Sequence, residues 1–402
     1  MHLTELLHKT LEEELPHVHK TRLGNLTVAC EATIGSNTLY LTGLGRALVN
    51  SNKESSNIQK IDRLLGNGLL QAERESFYQV MISKIIRNNS RPWIHIDWTC
   101  INSVTNLYAL RASLSMPGRS IVIYEACYPK KKENNHATHK AFLNKLRTLL
   151  PESTQPIIVT DAGFRAIWFA LVLQLGWDFV GRLRNKNAVC KENSVDWHLS
   201  STYLEYATAK PTYIGSHLLT QEGRVPVNLV LYKEKRKKRV KLNRYKKKSC
   251  SGKSKRYAKA SNEPWILVTS LKEAALNPIL IVTIYRQRMR IEENIRDTKC
   301  AHYGLGLRNS LTRCALRMNI LLLIAALITF AAWLAGLFTK FIGKTADFQA
   351  HSAKVTNALS IVFLGRRALK KKFTLQQHEF EKMLEMLHLT TLQAQLEIHH
   401  YG

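Results

Sequence analysis

Three acidic side chains stand where this chain could do chemistry. Asp97 closes the short apolar run WIHIDW at 93–98, and Asp161 directly follows the run PIIVT at 156–160. Both runs read as strands, and open α/β sheets bind ligands at the carboxyl ends of their strands. If the two strands lie side by side and parallel, both carboxylates reach one edge of the sheet. Converging carboxylates repel unless a cation neutralises them, and an all-oxygen donor set suits magnesium or manganese. Glu292, inside a helical pattern over about 278–300, supplies the third acid. Asp97, Asp161 and Glu292 are therefore expected to be both metal ligands and catalytic residues.

The helical pattern carries more than the acid. Tyr285, Arg288, Glu292 and Lys299 are spaced by three, four and seven, which on one continuous helix keeps them within an arc of roughly 60°. Ile284, Ile291 and Ile295 fill the adjoining arc and should bury against the sheet. An aromatic, two cations and an acid would then lie along one line, with Arg288 and Lys299 placed to hold phosphate oxygens on either side of Glu292. Glu293 points about 100° away from its neighbour and is not counted as a ligand. His95, two residues before Asp97, reads as a core or hydrogen-bonded histidine, or else as a group supporting the acid.

The elements that must position these residues follow from pattern. Residues 90–184 read as strand-strand-strand-helix-strand-helix-strand, with the turn signal Pro117-Gly118 between the second and third strands. That order predicts an α/β sheet with hairpin-linked strands and a parallel crossover. Residues 1–88 read as helical. Two short helices, one capped by Thr42 and one running to Gly66, are joined by a polar turn and fit either a helix-turn-helix reader or an ordinary small helical domain. Residues 185–263 are β-rich and basic, including the run VPVNLVLY at 225–232 and a stretch at 233–259 whose single acid is Glu234. Such a stretch is a phosphate-gripping arm, a solvated loop or a localisation-like signal. The tail is helical, with Thr374 and Gln377 as a capping box. Its stripe Phe380, Met383, Leu384 and Leu387 is either core or a surface for a partner helix.

Bulk composition sets the outer bounds. The 402 residues have a net charge of +29, which favours a polyanionic partner, with nucleic acid ahead of an anionic membrane. Seven cysteines form no C-x-x-C pair, so they read as free thiols rather than a disulfide framework or zinc site. The polar, acidic N-terminus does not read as a secretory signal. Residues 319–338 carry no charge over a bilayer-spanning length. They are a transmembrane candidate by hydropathy and a helix buried on all sides by context, the reading preferred here.

Several strings taken together are similar to a known family. IDW at 96–98, TDAGF at 160–164 and Y-x2-R-x3-E-x6-K from Tyr285 to Lys299 resemble the DDE transposases of the IS-four insertion-sequence family, most closely its Tn-ten-like branch. IDRLLGN at 61–67, LRASL at 110–114, EPW at 263–265, RIEE at 290–293 and YGLGLR at 303–308 resemble that branch too. The resemblance implies an RNase H-like catalytic core over 89–338 with a β-rich insertion at 185–263. It also implies an end-binding domain over 1–88, a dimerisation region over 339–402 and a homodimer in the synaptic complex. Tyr285, Arg288 and Lys299 would contact DNA near the cleaved end, and Trp265 would stack on a flipped base. Two Mg2+ or Mn2+ ions per site would serve a cut-and-paste reaction on transposon-end and target DNA: hydrolytic nicking, hairpin formation, hairpin opening and strand joining. The expected setting is a bacterial cytoplasm, at the nucleoid, with no membrane partner.

Overall fold

The computed structural model describes residues 2–184, 187–234, 247, 251–252, 254, 263–349, 359–371 and 374–396. They form two compact units, Met1–Pro156 with Arg288–Gly402, and Ile157–Gln287. The first unit opens with five helices: α1 (Leu3–Glu14), α2 (Lys20–Ser36), α3 (Leu41–Arg46), α4 (Glu54–Leu65) and α5 (Gly68–Ile86). The helical reading of this region holds. Thr42, expected to cap α3, lies inside it, because the Tyr40 carbonyl already accepts from the Leu44 N–H at 2.9 Å. The polar turn between α3 and α4 is locked by a reciprocal amide pair, Asn50 with Asn57, at 3.1 and 3.0 Å.

Three antiparallel strands follow, β1 (Trp93–Asn102), β2 (Leu107–Met116) and β3 (Arg119–Pro129), ordered β3-β2-β1. One expectation is corrected here: Asp97 does not end its strand. It sits in mid-strand opposite Arg111, because pairing with β2 carries β1 on through Cys100 opposite Tyr108 and Asn102 opposite Leu107. Among the described residues no strand lies beside the outer edge of β3, and side chains satisfy its backbone. Arg74 donates to the Glu125 carbonyl at 2.8 Å, and the Cys127 N–H donates to Asn319 Oδ1 at 2.7 Å. These bonds occupy edge positions at Glu125 and Cys127 that would otherwise be open to another strand. Helix α6 (His136–Leu149) buries the expected face of Phe142, Leu143, Leu146 and Leu149.

The second unit holds β4 (Ile157–Thr160), α7 (Ala166–Gln174), β5 (Asp178–Leu183), β6 (Ala188–Lys191), β7 (Trp197–Leu199), β8 (Thr212–Leu219), β9 (Val225–Tyr232), β10 (Trp265–Thr269) and α8 (Pro278–Arg286). Its strands run in the order β4-β5-β10-β9-β8-β6-β7. β4 and β5 are parallel and joined through α7, which is the anticipated crossover; the other pairings are antiparallel. The β-rich reading of 185–263 is met by β6 to β9. The basic stretch at 233–259 lies almost wholly outside the described residues.

The chain returns to the first unit with α9 (Met289–Lys299), α10 (Ala315–Phe341), α11 (Ile361–Lys370) and α12 (Gln377–Leu396). The single helix expected over 278–300 is thus two. The break falls at Gln287 and Arg288, which keep right-handed helical dihedrals but belong to neither helix. The apolar segment becomes α10, long and apolar enough to cross a membrane but with its most apolar stretch fully buried in protein. It packs on α1, α2, α4, α5, β3, α11 and α12. The tail stripe also resolves as core, since Phe380, Met383 and Leu387 are at most 1% exposed. Thr374 does not cap α12; the Gln376 N–H donates instead to the Glu379 carboxylate at 2.8 Å.

Small residues decide how α10 meets α11. A Cβ added at Gly365 would lie 1.8 Å from the Ala332 carbonyl oxygen, and one at Gly336 would lie 2.1 Å from that of Ile361. The backbones therefore touch, and neither glycine can gain a methyl without parting the helices. Gly365→Ala is expected to destabilise the protein by about 1–3 kcal/mol through overpacking, read as a lower urea midpoint. Gly24→Ala on α2, where no atom lies within 4 Å of the added Cβ, should be neutral or mildly stabilising. Equal midpoints for the two variants would show that α10 and α11 are not in backbone contact.

Candidate active site

Cross-strand partners in an antiparallel pair share a face, so the register alone puts Asp97, Arg111 and Glu125 in a row across β1, β2 and β3. Helix α9 lies on that face. Arg111 donates from Nε to Glu125 Oε2 at 2.8 Å and from Nη1 to Asn294 Oδ1 at 2.6 Å, with Thr298 Oγ1 at 3.5 Å. Asn294 Nδ2 in turn donates to the Ser120 carbonyl on β3 at 3.1 Å. Arg111 and Glu125 side chains are 2% and 0% exposed. Burial pushes the Glu125 carboxyl up, and the Arg111 guanidinium opposes that shift.

Seated in this way, α9 brings its functional side chains to β1. Arg288, just before its first turn, reaches Glu292 Oε1 with Nη2 at 2.9 Å and Asp97 Oδ2 with Nη1 at 3.9 Å. One guanidinium thus lies between the two acids. Lys299, at the other end of the helix, donates to Thr99 Oγ1 at 2.8 Å and to the Cys100 carbonyl at 3.0 Å. Burial lowers the Lys299 ammonium, and the Arg111 and Arg308 cations add to the effect. Asp97 and Glu292 open into one cavity of about 490 Å³, whose lining also includes Thr99, Arg296, Lys299 and Arg308. Asp97 is 15% exposed and Glu292 47%, so Glu292 is the more open of the two.

His95, on the same strand face as Asp97, is buried and hydrogen-bonded to the Ser115 hydroxyl at 2.8 Å. Burial first, and then Arg288 and Arg290, lower its imidazole to about 3. It is a neutral core group at ordinary pH.

The remaining expected residues lie in the second unit. Asp161 directly follows β4 and accepts the Gly163 N–H at 2.8 Å, a tight turn that holds its carboxylate at the carboxyl end of the strand. Tyr285, expected in line with Arg288, is 4% exposed and packs edge-on against Trp265 at 5.0 Å. Trp265 also meets Tyr232 at 5.4 Å and has the Arg182 guanidinium over its ring at 5.9 Å. Arg286 completes the cluster by donating to the Tyr232 hydroxyl. Arg288, Glu292 and Lys299 gather at Asp97 and Thr99, whereas Tyr285 belongs to an aromatic and cationic cluster.

The carboxylates of Asp97 and Glu292 are hard oxygen donors facing one water-accessible cavity beside several cations. That donor set fits magnesium or manganese. Among the described residues no three His, Cys, Asp or Glu side chains are gathered as a metal-holding group, so the fit rests on these two acids. Pattern reading missed Thr99, Arg308 and Cys300 as cavity residues, and Arg111, Glu125 and Asn294 beneath them. A signal did exist for Arg111 and Glu125, since each is a charge inside an otherwise apolar strand.

Cys300, which ends α9 and lines the cavity, has a thiol lowered by N–H groups of Tyr303, His302 and Gly304 that favour the thiolate. Burial pushes the Cys127 thiol up to about 12 and that of Cys30 higher still. Iodoacetamide near neutral pH should therefore alkylate Cys300 ahead of Cys314, which is exposed, and leave Cys30 and Cys127 unmodified. Peptide mass spectrometry over a time course reads the order, and Cys314 labelling first would refute it.

The stretch of chain that holds these residues matches a described family. A family model described as Transposase DDE domain matches residues 95–329, more than half of the chain. That span takes in Asp97, Asp161, Trp265, Tyr285, Arg288, Glu292 and Lys299. No curated protein resembles the chain closely enough to count as a match. With an α/β fold, two acids opening into a cation-lined cavity and this match, the chain belongs to the DDE transposase domain family.

Proposed function

We propose that the protein is a cut-and-paste transposase of the Tn-ten-like branch, with Asp97, Asp161 and Glu292 as its catalytic triad on an RNase H-like core. The observation that carries this reading is the shared cavity of Asp97 and Glu292, bridged by Arg288 and bordered by Lys299 and Arg308. Asp161, at the carboxyl end of β4, is the third acid of the proposal. When bound by these acids, Mg2+ or Mn2+, two ions per site, would supply an activated water and charge stabilisation at the leaving oxygen.

The chain's own groups do the rest. Arg288 releases the carboxylates and takes a phosphate oxygen, for which its planar fork is suited. Lys299 is held by Thr99 and the Cys100 carbonyl, so its ammonium meets the backbone of the end DNA without a search over rotamers. Arg296 and Arg308 extend the cationic lining along the strand. Trp265, half-buried beside Tyr285, would stack on a base displaced from the stack, which would offset part of the cost of forming a hairpin. Nicking, hairpin formation, hairpin opening and joining are all in-line phosphoryl transfers, so one set of acids serves every step. Transposon-end DNA and target DNA are the proposed partners. Residues 1–88 are assigned to end binding and 339–402 to a homodimer in the synaptic complex, at work on a bacterial nucleoid.

Full-length protein with element-end DNA and Mg2+ should nick and then join the ends. Asp97→Asn and Glu292→Gln are each expected to cut turnover by at least on the order of 10²–10³-fold, the size of losing one group that stabilises transition-state charge, while gel-shift affinity persists. Wild-type cleavage by Asp97→Asn would sink the triad, and cleavage without any joined product would favour a nuclease. A second expectation concerns the basic stretch at 233–259. Its deletion should weaken DNA binding and flatten the salt dependence, by about 0.9 in slope for each phosphate that is no longer neutralised. An unchanged slope would show that the stretch does not grip phosphate.

A further inference from the structure

The row Asp97, Arg111, Glu125 across three strands joins an acid of the proposed site to a buried ion pair. Arg111 commits Nε and Nη2 to Glu125 Oε2, at 2.8 and 2.7 Å, and has Nη1 left for Asn294. Asn294 is 3% exposed and bonded on both sides of its amide, to Arg111 and to the Ser120 carbonyl. It lies two residues after Glu292 and five before Lys299. The helix that carries those two residues is therefore pinned to the sheet by polar bonds of defined length, where an apolar contact would tolerate sliding. Glu292 itself is half exposed and is met by Arg288, a side chain of its own segment, so its place relative to β1 depends on how the helix is seated.

We propose that Arg111 is a positioning residue. Acting through Asn294, it fixes the seat of α9 on β2 and β3, and thereby sets the separation of Glu292 from Asp97. The inference rests on the reading of Asp97 and Glu292 as metal ligands. Glu125 holds the guanidinium in its one useful orientation and touches nothing that reacts. The brace acts on metal affinity and turnover, while Lys299 keeps its own bonds to Thr99 and the Cys100 carbonyl on β1.

The test uses the full-length protein. Asn294→Ala removes the link and leaves the Arg111–Glu125 pair intact, so the fold should survive. Manganese uptake by the DNA-free protein, followed by electron paramagnetic resonance, is expected to weaken about tenfold or more, the usual cost of losing a group that orients a ligand. Turnover should fall in parallel, with end-DNA affinity in chelator unchanged and the melting temperature lowered by only a few degrees, since one buried hydrogen-bond partner is lost. Asn294→Asp, which still accepts from Arg111, should restore manganese binding. Arg111→Lys, which keeps the charge but cannot span Glu125 and Asn294 together, should resemble Asn294→Ala. Wild-type manganese affinity in Asn294→Ala would overturn the brace, provided that Asp97→Asn abolishes uptake. A joint fall in manganese affinity, DNA affinity and melting temperature that Asn294→Asp does not restore would overturn it as well, by marking a purely structural role. If wild type and Asp97→Asn bind manganese alike, the metal-site reading itself fails, and the brace with it.

Discussion

A guanidinium cannot be buried bare, and the first unit is organised around that constraint. Arg111 is 2% exposed, and removing one partner of such a pair typically costs about 3–5 kcal/mol because a charge is stranded in a low-dielectric interior. Satisfying Arg111 needs Glu125 opposite it on β3, which requires the β2–β3 register. It also needs Asn294 above it, which requires α9 to be seated, and Asn294 in turn holds the Ser120 carbonyl. A slip of one residue in the strands would turn Arg111 to the other face. The ion pair thus works less as a source of stability than as a specification of register, and the acids of the site inherit that specification.

Much of the fold was legible in the sequence because strand and helix periodicity is a local signal. The seven elements between 93 and 183 occur in the expected order, and the buried reading of 319–338 is met by α10. Legibility failed where long-range pairing overrides the local pattern. The charge at Asp97 marked an end to the apolar run, yet β1 continues through the β-branched Thr99 and Ile101 to Asn102 because β2 lies alongside. RQRM at 286–289 contains no proline or glycine, and the helix still breaks there. In the site itself, Arg288 meets Glu292 and Asp97, Lys299 is bonded to Thr99 and the Cys100 carbonyl, and Tyr285 packs on Trp265.

The chain carries a net charge of +29, and its candidate site turns that excess inward. Arg288 lies between two carboxylates, Lys299 is tethered to β1, and Arg308 borders the same cavity. Cations in such a place neutralise the acids in the free protein and can face phosphate in a complex. Their positions depend on hydrogen bonds to neutral oxygens, such as those of Thr99 and Cys100, as much as on ion pairs. Geometry of that kind survives a change of counter-charge, which a site handling a polyanion needs.

The division of the chain bears on how it is made. Residues 157–287 form a unit from one continuous stretch, whereas the other unit is assembled from 1–156 and 288–402. A ribosome delivers the N-terminus first and domains tend to fold as units during synthesis, so the continuous unit can complete itself while its neighbour waits. Helices α1, α2, α4 and α5 and strand β3 stay without their packing partner until α10 emerges, about two hundred residues after β3 has been made. During that interval Leu23, Leu26, Phe77 and Ile85, buried in the finished protein, face water, and contacts of such long sequence separation form slowly. Truncation before residue 315 would leave the first unit without the buried helix on which α1, α2, α4, α5 and β3 pack.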